Sequence, residues 1–381
     1  MLISLAFLSA LFLPAVFDTP SLISEDDFFE INIDRDHPDE AFKAFEEFKI
    51  RFHKKYKTPE EEKMRGEVFL KNHNTVGILN KKAEQNGQGT KFGINKFSDL
   101  TKKEFQSRLS NVRPSRVSEI GKIHKNPLLN LTKNSRGKRQ VDYPPENFDL
   151  RYKKVNGRWV VGKVKDQKNC ACCWAFAVTA AIEAIYAANI GKIKPLSEQE
   201  LCDCGTDGRL GCSGGKLEWG VSYIMGKGLA SEEAYGYEES RANHSDMCVA
   251  DRMMRVFPAG RISHYIFNEY EVEDKFLQFI YQYKTPIAVS FAVGEGFRNY
   301  QSGILEIEDC DVRGVAWHAG AIVGYGEERN YGKRKRFWIV KNSWGDEGWG
   351  DMNGYFKVVR GYNWCEIEYN AYAPYWTDAI H

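Results

Sequence analysis

Three of the four residues 170–173 are cysteine, within the segment VKDQKNCACCWAFA at 164–177. Thiols this dense bridge one another, bind a metal or attack an electrophile. The Ala-rich stretch that follows, AVTAAIEAIYAANIG, closes on Gly191, so a helix is expected to begin near Cys173 with Gly191 as its C-cap. A cysteine at a helix N-terminus faces unpaired backbone N–H groups and the positive dipole end, which favour thiolate over thiol. A thiolate nucleophile also needs an imidazole partner and donors for an oxyanion. Of the eight histidines, His318 fits best, in AWHAGAIVGYG, where 321–325 reads as a strand closed by glycines. Further on, FWIVKNSWGDEGWG supplies a second strand at 338–341, ending at Asn342, whose amide can bond an imidazole. On residue types alone, Cys173 also reads as half of a disulfide and His318 as a structural histidine.

The elements that must position these groups belong to a chain of 381 residues, 43% hydrophobic, 13% aromatic and 28% charged. That composition supports one large or two modest domains and excludes disorder and collagen. With 53 Lys and Arg against 52 Asp and Glu, the net charge of +1 supplies no global field for a polyanion, so no nucleic-acid partner is expected. Residues 2–13 are almost wholly apolar, and Pro14, Ala15 and then Asp18 follow, as in a signal peptide over 1–17. Export permits disulfides and points to the lysosome or the extracellular space. No later stretch approaches 18 apolar residues, so no membrane span is expected.

Residues 39–109 read as helical and strongly charged. Phe42, Phe45, Phe48 and Phe52 recur at spacings of 3, 3 and 4 and form one aromatic stripe that must dock on something. Thr58, Pro59 and Glu61 supply N-cap, N1 and N3 of a capping box opening a long second helix towards Gly87. On it Glu61 and Arg65, four apart, read as a solvated ion pair. Residues 110–140 lose apolar periodicity and carry the basic run Arg136, Lys138 and Arg139, read as a cleavable linker. Beyond Val141 the chain turns rich in Gly, Trp, Tyr and Cys, as expected of a mixed α and β unit, and no internal repeat is found.

Taken together, residues 41–374 resemble a papain-family cysteine protease precursor of the cathepsin L-like branch. Cys170, Ala171, Cys172, Cys173 and Trp174 meet the signature C-G-[SA]-C-[WY] at three of five positions. The resemblance gives Cys173 the nucleophile position, His318 that of the imidazole, Asn342 that of its orienting amide and Gln167 that of the oxyanion-hole glutamine. It makes Trp344 the shield of the His–Asn bond and places Gly214 and Gly215 along the substrate backbone. Glu61, Arg65, Phe69, Asn72, Val76 and Asn80 follow the interspersed helix motif of the family's propeptide, and Gly93, Asn95, Phe97 and Asp99 its G-x-N-x-F-x-D motif. The implied fold is α+β: a helical domain led by the Cys173 helix faces a β-rich domain carrying His318 and Asn342, with the active site between them. A helical inhibitory propeptide, 18–140, precedes a peptidase domain at 141–381. The implied function is a zymogen of a cysteine endopeptidase without a cofactor or metal, acting on peptides and proteins. Its own propeptide inhibits it, and cystatin-type inhibitors are further candidate partners. An inactive papain-fold binding or matrix protein, and a secreted metal-binding protein using CACC and CDC, are the rival readings.

Several departures lie near the chemistry. Ala171, Cys172 and Lys168 replace Gly, Ser and Gly, Trp317 stands where relatives carry Asp or Asn, Leu150 replaces an early Trp, and about four extra residues precede Val164. A positive φ at position 171 would strain alanine. Family positions suggest the disulfides Cys170–Cys212, Cys204–Cys248 and Cys310–Cys365, and Cys172 and Cys202 are left as a fourth pair. The pocket for the second residue before the scissile bond is placed at Lys216, Leu217, Ala316, Ala319 and Asn370, and this mixed lining is expected to tolerate polar or acidic side chains. Asn130 and Asn243 head glycosylation acceptors, NLT and NHS.

Overall fold

Spacing of the aromatic side chains sets how the first two helices meet. In the computed structural model, which describes residues 38–115, 143–205, 211–239, 248–267, 272–314, 316–330, 332–369 and 371–377, helix α1 (Pro38–Arg51) packs on α2 (Pro59–Gln85). Phe45 and Phe48 are buried against Phe69, with ring centroids 5.4 and 4.9 Å away. Phe42 is 66% exposed and falls outside the expected stripe. At about 100° per residue it lies about 60–120° around the helix from the other three. The expected signal peptide, most of the expected linker, Asn130, Asn243 and Asn370 lie outside the described residues.

The second helix opens as expected, with Thr58 Oγ1 accepting the Glu61 N–H at 3.2 Å and Pro59 in the first turn. The Glu61 carboxylate accepts from Lys57 N–H instead of that of Thr58, so it caps one residue further back. A reciprocal capping box does occur where none was expected, at Thr101 and Glu104, heading α3 (Lys102–Gln106). The span 39–109 is therefore helical in three pieces, and residues 86–101 between the second and third form an extended segment flanked by turns at 86–87 and 96–99.

The polar side chains at the matched positions have visible tasks. Arg65 does not pair with Glu61; its guanidinium forks onto Glu104 at 2.7 and 2.9 Å and donates to Asp99 O. Asn72 donates to the carbonyls of Ser98 and Leu100, and Asn80 exchanges two hydrogen bonds with the backbone of Phe92. Lys54 and Tyr56 hold the Asp99 carboxylate. The helix thus templates the extended segment that carries strand β1 (Lys91–Phe92) and the turn at 95–99.

The remaining chain divides into two facing halves. In the helical half, α4 (Cys173–Asn189) is hydrophobic on nearly every side and buried along almost its whole length. Its alanines let it lie close to strands of the β-rich half while α5 (Glu198–Cys204) and α6 (Leu217–Lys227) flank it. Gly191 is not a left-handed C-cap; Ile190 is the C-cap, and the N–H groups of Ile190 and Gly191 both bond Tyr186 O. The extra residues near 152–163 form a hairpin, β3 (Lys154–Val155) and β4 (Arg158–Trp159), turning on Asn156 and Gly157 at φ 50° and 76°. Asn156 and Arg158 donate to Ala188 O and Ala187 O, so the insertion caps the C-terminal end of α4.

The β-rich half is built on β5 (Ile262–Phe267), β6 (Ile287–Ala292), β8 (Ile304–Leu305), β9 (Trp317–Asn330), β10 (Lys333–Lys341), β11 (Tyr355–Val359) and β12 (Ala371–Trp376), ordered β5-β12-β6-β9-β10-β11-β8. Strand β2 (Phe148–Asp149) pairs with β9, and β7 (Tyr300–Ser302) pairs with propeptide β1. Helix α7 (Val272–Tyr283) covers the sheet, and the short α8 (Glu295–Arg298) leads into β7. Among the described residues, no helix is long and apolar enough to cross a membrane.

The Arg65 fork holds the Glu104 carboxyl down at about 2. A depressed carboxyl contributes stability above its unfolded value, about 4.3, and loses it as pH falls towards 2. This pair therefore survives mild acid. With Glu104 about two-fifths exposed, the contribution is about 1 kcal/mol. In the full-length chain, Glu104→Gln should lower the melting temperature of the propeptide at pH 6, and the difference from wild type should vanish near pH 2, measured by thermal scans across pH.

Candidate active site

Cys173 is the first residue of α4, and its thiol is fully buried. Burial pushes it up to about 12, although N–H groups of Ala319, Ser110, Trp174 and Cys173 itself act in the opposite direction. The N-cap is Cys172, which makes no side-chain cap bond.

His318 lies in β9 and Asn342 directly follows β10, strands paired from Lys341 to Ala321 onward, which sets imidazole beside amide. Asn342 Oδ1 lies 2.7 Å from His318 Nε2 and also accepts the Ser343 N–H at 2.8 Å. An amide oxygen only accepts, so Nε2 carries the hydrogen and the neutral ring presents a bare lone pair at Nδ1. That nitrogen is buried without a hydrogen-bond partner. Burial pulls the imidazole down to about 4, with the Asn342 bond opposing. Trp344 lies over the imidazole, centroids 4.6 Å apart, and is itself buried.

Gln167 is fully buried, and its side-chain oxygen accepts Ser343 Oγ at 2.6 Å. That bond fixes the amide so that Nε2 points the other way. Nε2 donates at 2.8 Å to Cys170 O and at 2.8 Å to Arg108 O of the propeptide. Two residues on, Ser110 exchanges backbone hydrogen bonds of 2.7 and 2.9 Å with Trp317. Gly214, at φ +105°, faces the same serine, and a Cβ there would meet Ser110 Oγ at 2.5 Å. Gly215 is needed for packing: its Cβ would lie 2.4 Å from the Trp174 ring.

The G-x-N-x-F-x-D segment anchors this plug. Asn95 donates to Arg298 O, while the buried Arg298 guanidinium donates to Phe97 O and Leu100 O. Lys96 bonds Gly348 through its backbone and Trp344 O through its ammonium. Phe97 and Phe105 pack edge-on against Trp344, at 5.1 and 5.6 Å.

Of the expected pocket residues, Lys216, Leu217 and Ala319 line the cavity beside Cys173, together with Val112 and Pro114. Ala316 is not among its lining residues; its carbonyl accepts the Val293 N–H. Glu218, Ser290 and Tyr372 line the cavity too, and sequence reasoning missed them. Ser343, Arg298 and Ser110 were likewise missed; only Ser343 had a local signal, its place between Asn342 and Trp344. All four suggested disulfides form, including Cys172–Cys202, so CDC keeps no free thiol and CACC keeps one, that of Cys173. Ala171 is not strained. The left-handed residue of this turn is Lys168, at φ 54°, held by its N–H to Asp166 Oδ1.

Comparison with known proteins places this geometry. The family described as papain family cysteine protease matches residues 144–375, and the cathepsin propeptide inhibitor domain matches 45–105. The chain belongs to the papain family of cysteine proteases and is built as a zymogen with its own inhibitor domain. It is 34% identical to cysteine proteinase 3 of Solanum lycopersicum over 85% of this chain and 82% of that one. It is 33% identical to thiol protease aleurain of Arabidopsis thaliana, over 85% and 81%. Digestive procathepsin L2 of Tenebrio molitor larval midgut superposes with a TM-score of 0.69 at 30% identity, over 88% of this chain and 99% of that chain.

A thiol raised to about 12 beside an imidazole lowered to about 4 is a neutral pair across the range between. Cys173 of the intact chain should therefore resist iodoacetamide at pH 6, and the chain starting at Val141 should react at least about a hundredfold faster, read by mass spectrometry of the modified peptide.

Proposed function

We propose that the processed chain is a secretory-pathway endopeptidase of the lysosome or extracellular space, acting by acyl transfer through Cys173, His318, Asn342 and Gln167. His318 Nδ1 takes the proton of the Cys173 thiol, giving a thiolate and imidazolium. The thiolate attacks a peptide carbonyl, and the Gln167 side-chain amide and Cys173 N–H receive the oxyanion. The imidazolium then protonates the leaving amine as the C–N bond breaks, leaving an acyl-enzyme. Water, deprotonated by the same imidazole, releases the acid and restores the thiol. Asn342 holds the ring so that Nδ1 faces the reaction, and Trp344 keeps water from the Asn342 bond.

The observation that carries this reading is the Arg108 carbonyl on Gln167 Nε2. A donor that receives a propeptide carbonyl is free for a substrate oxyanion once residues 18–140 leave. Release exposes the cleft to water, which supports charge on both groups, so removing the plug and forming the ion pair are one event. The inactive-protein reading requires a missing catalytic group, and none of the four is missing.

Cys173→Ala and His318→Ala should each lower kcat by roughly 10⁵–10⁶-fold, whereas Asn342→Ala should lower it by a smaller factor. Cys172→Ser should keep a measurable rate. Substantial turnover by Cys173→Ala, or a full-length chain as active as one starting at Val141, would refute the mechanism. An epoxide inhibitor selective for papain-type thiols should label Cys173 and no other cysteine, located by mass spectrometry.

A further inference from the structure

The pocket beside Cys173 holds a polar seat that the propeptide already occupies. Ser115 Oγ donates to Glu218 Oε1 at 2.7 Å and accepts from the Lys216 ammonium. The second carboxylate oxygen, Oε2, accepts from the buried Tyr372 hydroxyl at 3.2 Å. Lys216 Nζ and Glu218 Oε1 lie 3.9 Å apart, with both side chains about one-fifth exposed. Ser290 Oγ, on the wall of the same pocket, is buried without a partner. A single hydroxyl group thus satisfies an acceptor and a donor at once, and the pocket that Lys216 and Glu218 line carries a third polar atom, Ser290 Oγ.

Charge decides which substrate side chains can take this place. A carboxylate could accept from Lys216 but would face the Glu218 carboxylate. An ammonium or guanidinium could donate to Glu218 but would face Lys216. An aliphatic side chain would leave both charged groups without the hydrogen bonds that Ser115 supplies. A hydroxyl or a primary amide is both donor and acceptor and carries no charge.

We propose that Glu218, acting with Lys216, makes this pocket selective for substrate side chains bearing a neutral hydroxyl or amide: serine, threonine, asparagine and glutamine. The inference rests on the protease reading and narrows it: Glu218, absent from the lining expected on sequence grounds, removes acidic side chains from the tolerated set. Lys216 and Glu218 are specificity determinants that touch the substrate side chain; neither takes part in bond breaking.

The test is a peptide library varied at the second residue before the scissile bond, cleaved by the chain starting at Val141 and by its Glu218→Gln and Lys216→Met variants. Wild type should cleave the threonine and asparagine members at least about tenfold faster than the aspartate, glutamate, lysine and arginine members. Glu218→Gln should raise the acidic members relative to threonine by about tenfold, and Lys216→Met should do the same for the basic members. The readout is a ratio within one enzyme preparation, so a general loss of activity in a variant does not mask it. If Glu218→Gln does not fold, the Lys216→Met profile carries the decision. Wild-type preference for leucine, valine or phenylalanine, or ratios unchanged in both variants, would overturn the proposal while leaving the protease standing. Failure to cleave any member, with no epoxide labelling of Cys173, would overturn the protease reading and this proposal with it.

Discussion

A thiol and an imidazole become an ion pair only where water or fixed dipoles support both charges, and the rest of this structure is arranged around withholding that support. The N–H groups facing Cys173 favour thiolate, and the Asn342 bond favours imidazolium. Burial outweighs both. In the zymogen the His–Asn bond is made and the Gln167 amide is oriented by Ser343, while His318 Nδ1 has no hydrogen-bond partner and Gln167 Nε2 donates to Arg108 O. Burial and the segment lying across the cleft act together against charge on the thiol and the imidazole.

The same aromatic surface serves shielding and inhibition. Trp344 covers the imidazole from one side and receives Phe97 and Phe105 from the other. Arg298 extends this surface, its guanidinium turned to propeptide carbonyls and its own carbonyl bonded by Asn95. The long α2 helix never touches the catalytic groups, yet Arg65, Asn72 and Asn80 hold the chain that does. Hence the propeptide inhibits as a templated structure and not as a loose peptide.

The parts of the site legible in the sequence are those whose chemistry is local. Cys173 announces itself by a helix start, His318 by a strand and Asn342 by the end of another. Gln167 was placed by resemblance and is joined to the set through Ser343, 176 residues away in sequence. Where a side chain could choose between a near and a far partner, the near one misled: Arg65 was read with Glu61, four residues away, but bonds Glu104, 39 residues away, because only there does the guanidinium find a bidentate acceptor and the Asp99 carbonyl together. Lys168 absorbed the turn strain assigned to Ala171 because its backbone N–H has an Asp166 carboxylate two residues before it. Glu218 was invisible because nothing in its own helix indicates that Tyr372, 154 residues on, closes the pocket over it. The stretch 39–109 reads as helical, and the second helix ends near Gly87 as expected, but most of 86–101 leaves the helix because asparagines of α2 bind the backbone of that segment, a tertiary preference that periodicity does not record.

The pairing of β1 with β7, and the bonds of residues 93–100 to Arg298, Asn299 and Gly348, all precede the stretch that crosses the cleft. A cut anywhere beyond Ser115 severs the covalent tether without breaking one of these contacts. Before the cut, the inhibitor is present at the effective concentration of its own chain and dilution cannot remove it. Afterwards, inhibition becomes a bimolecular equilibrium that depends on how much protein the compartment holds. At high concentration the cut enzyme remains largely occupied by its former propeptide; on dilution it loses that occupant with no further chemistry.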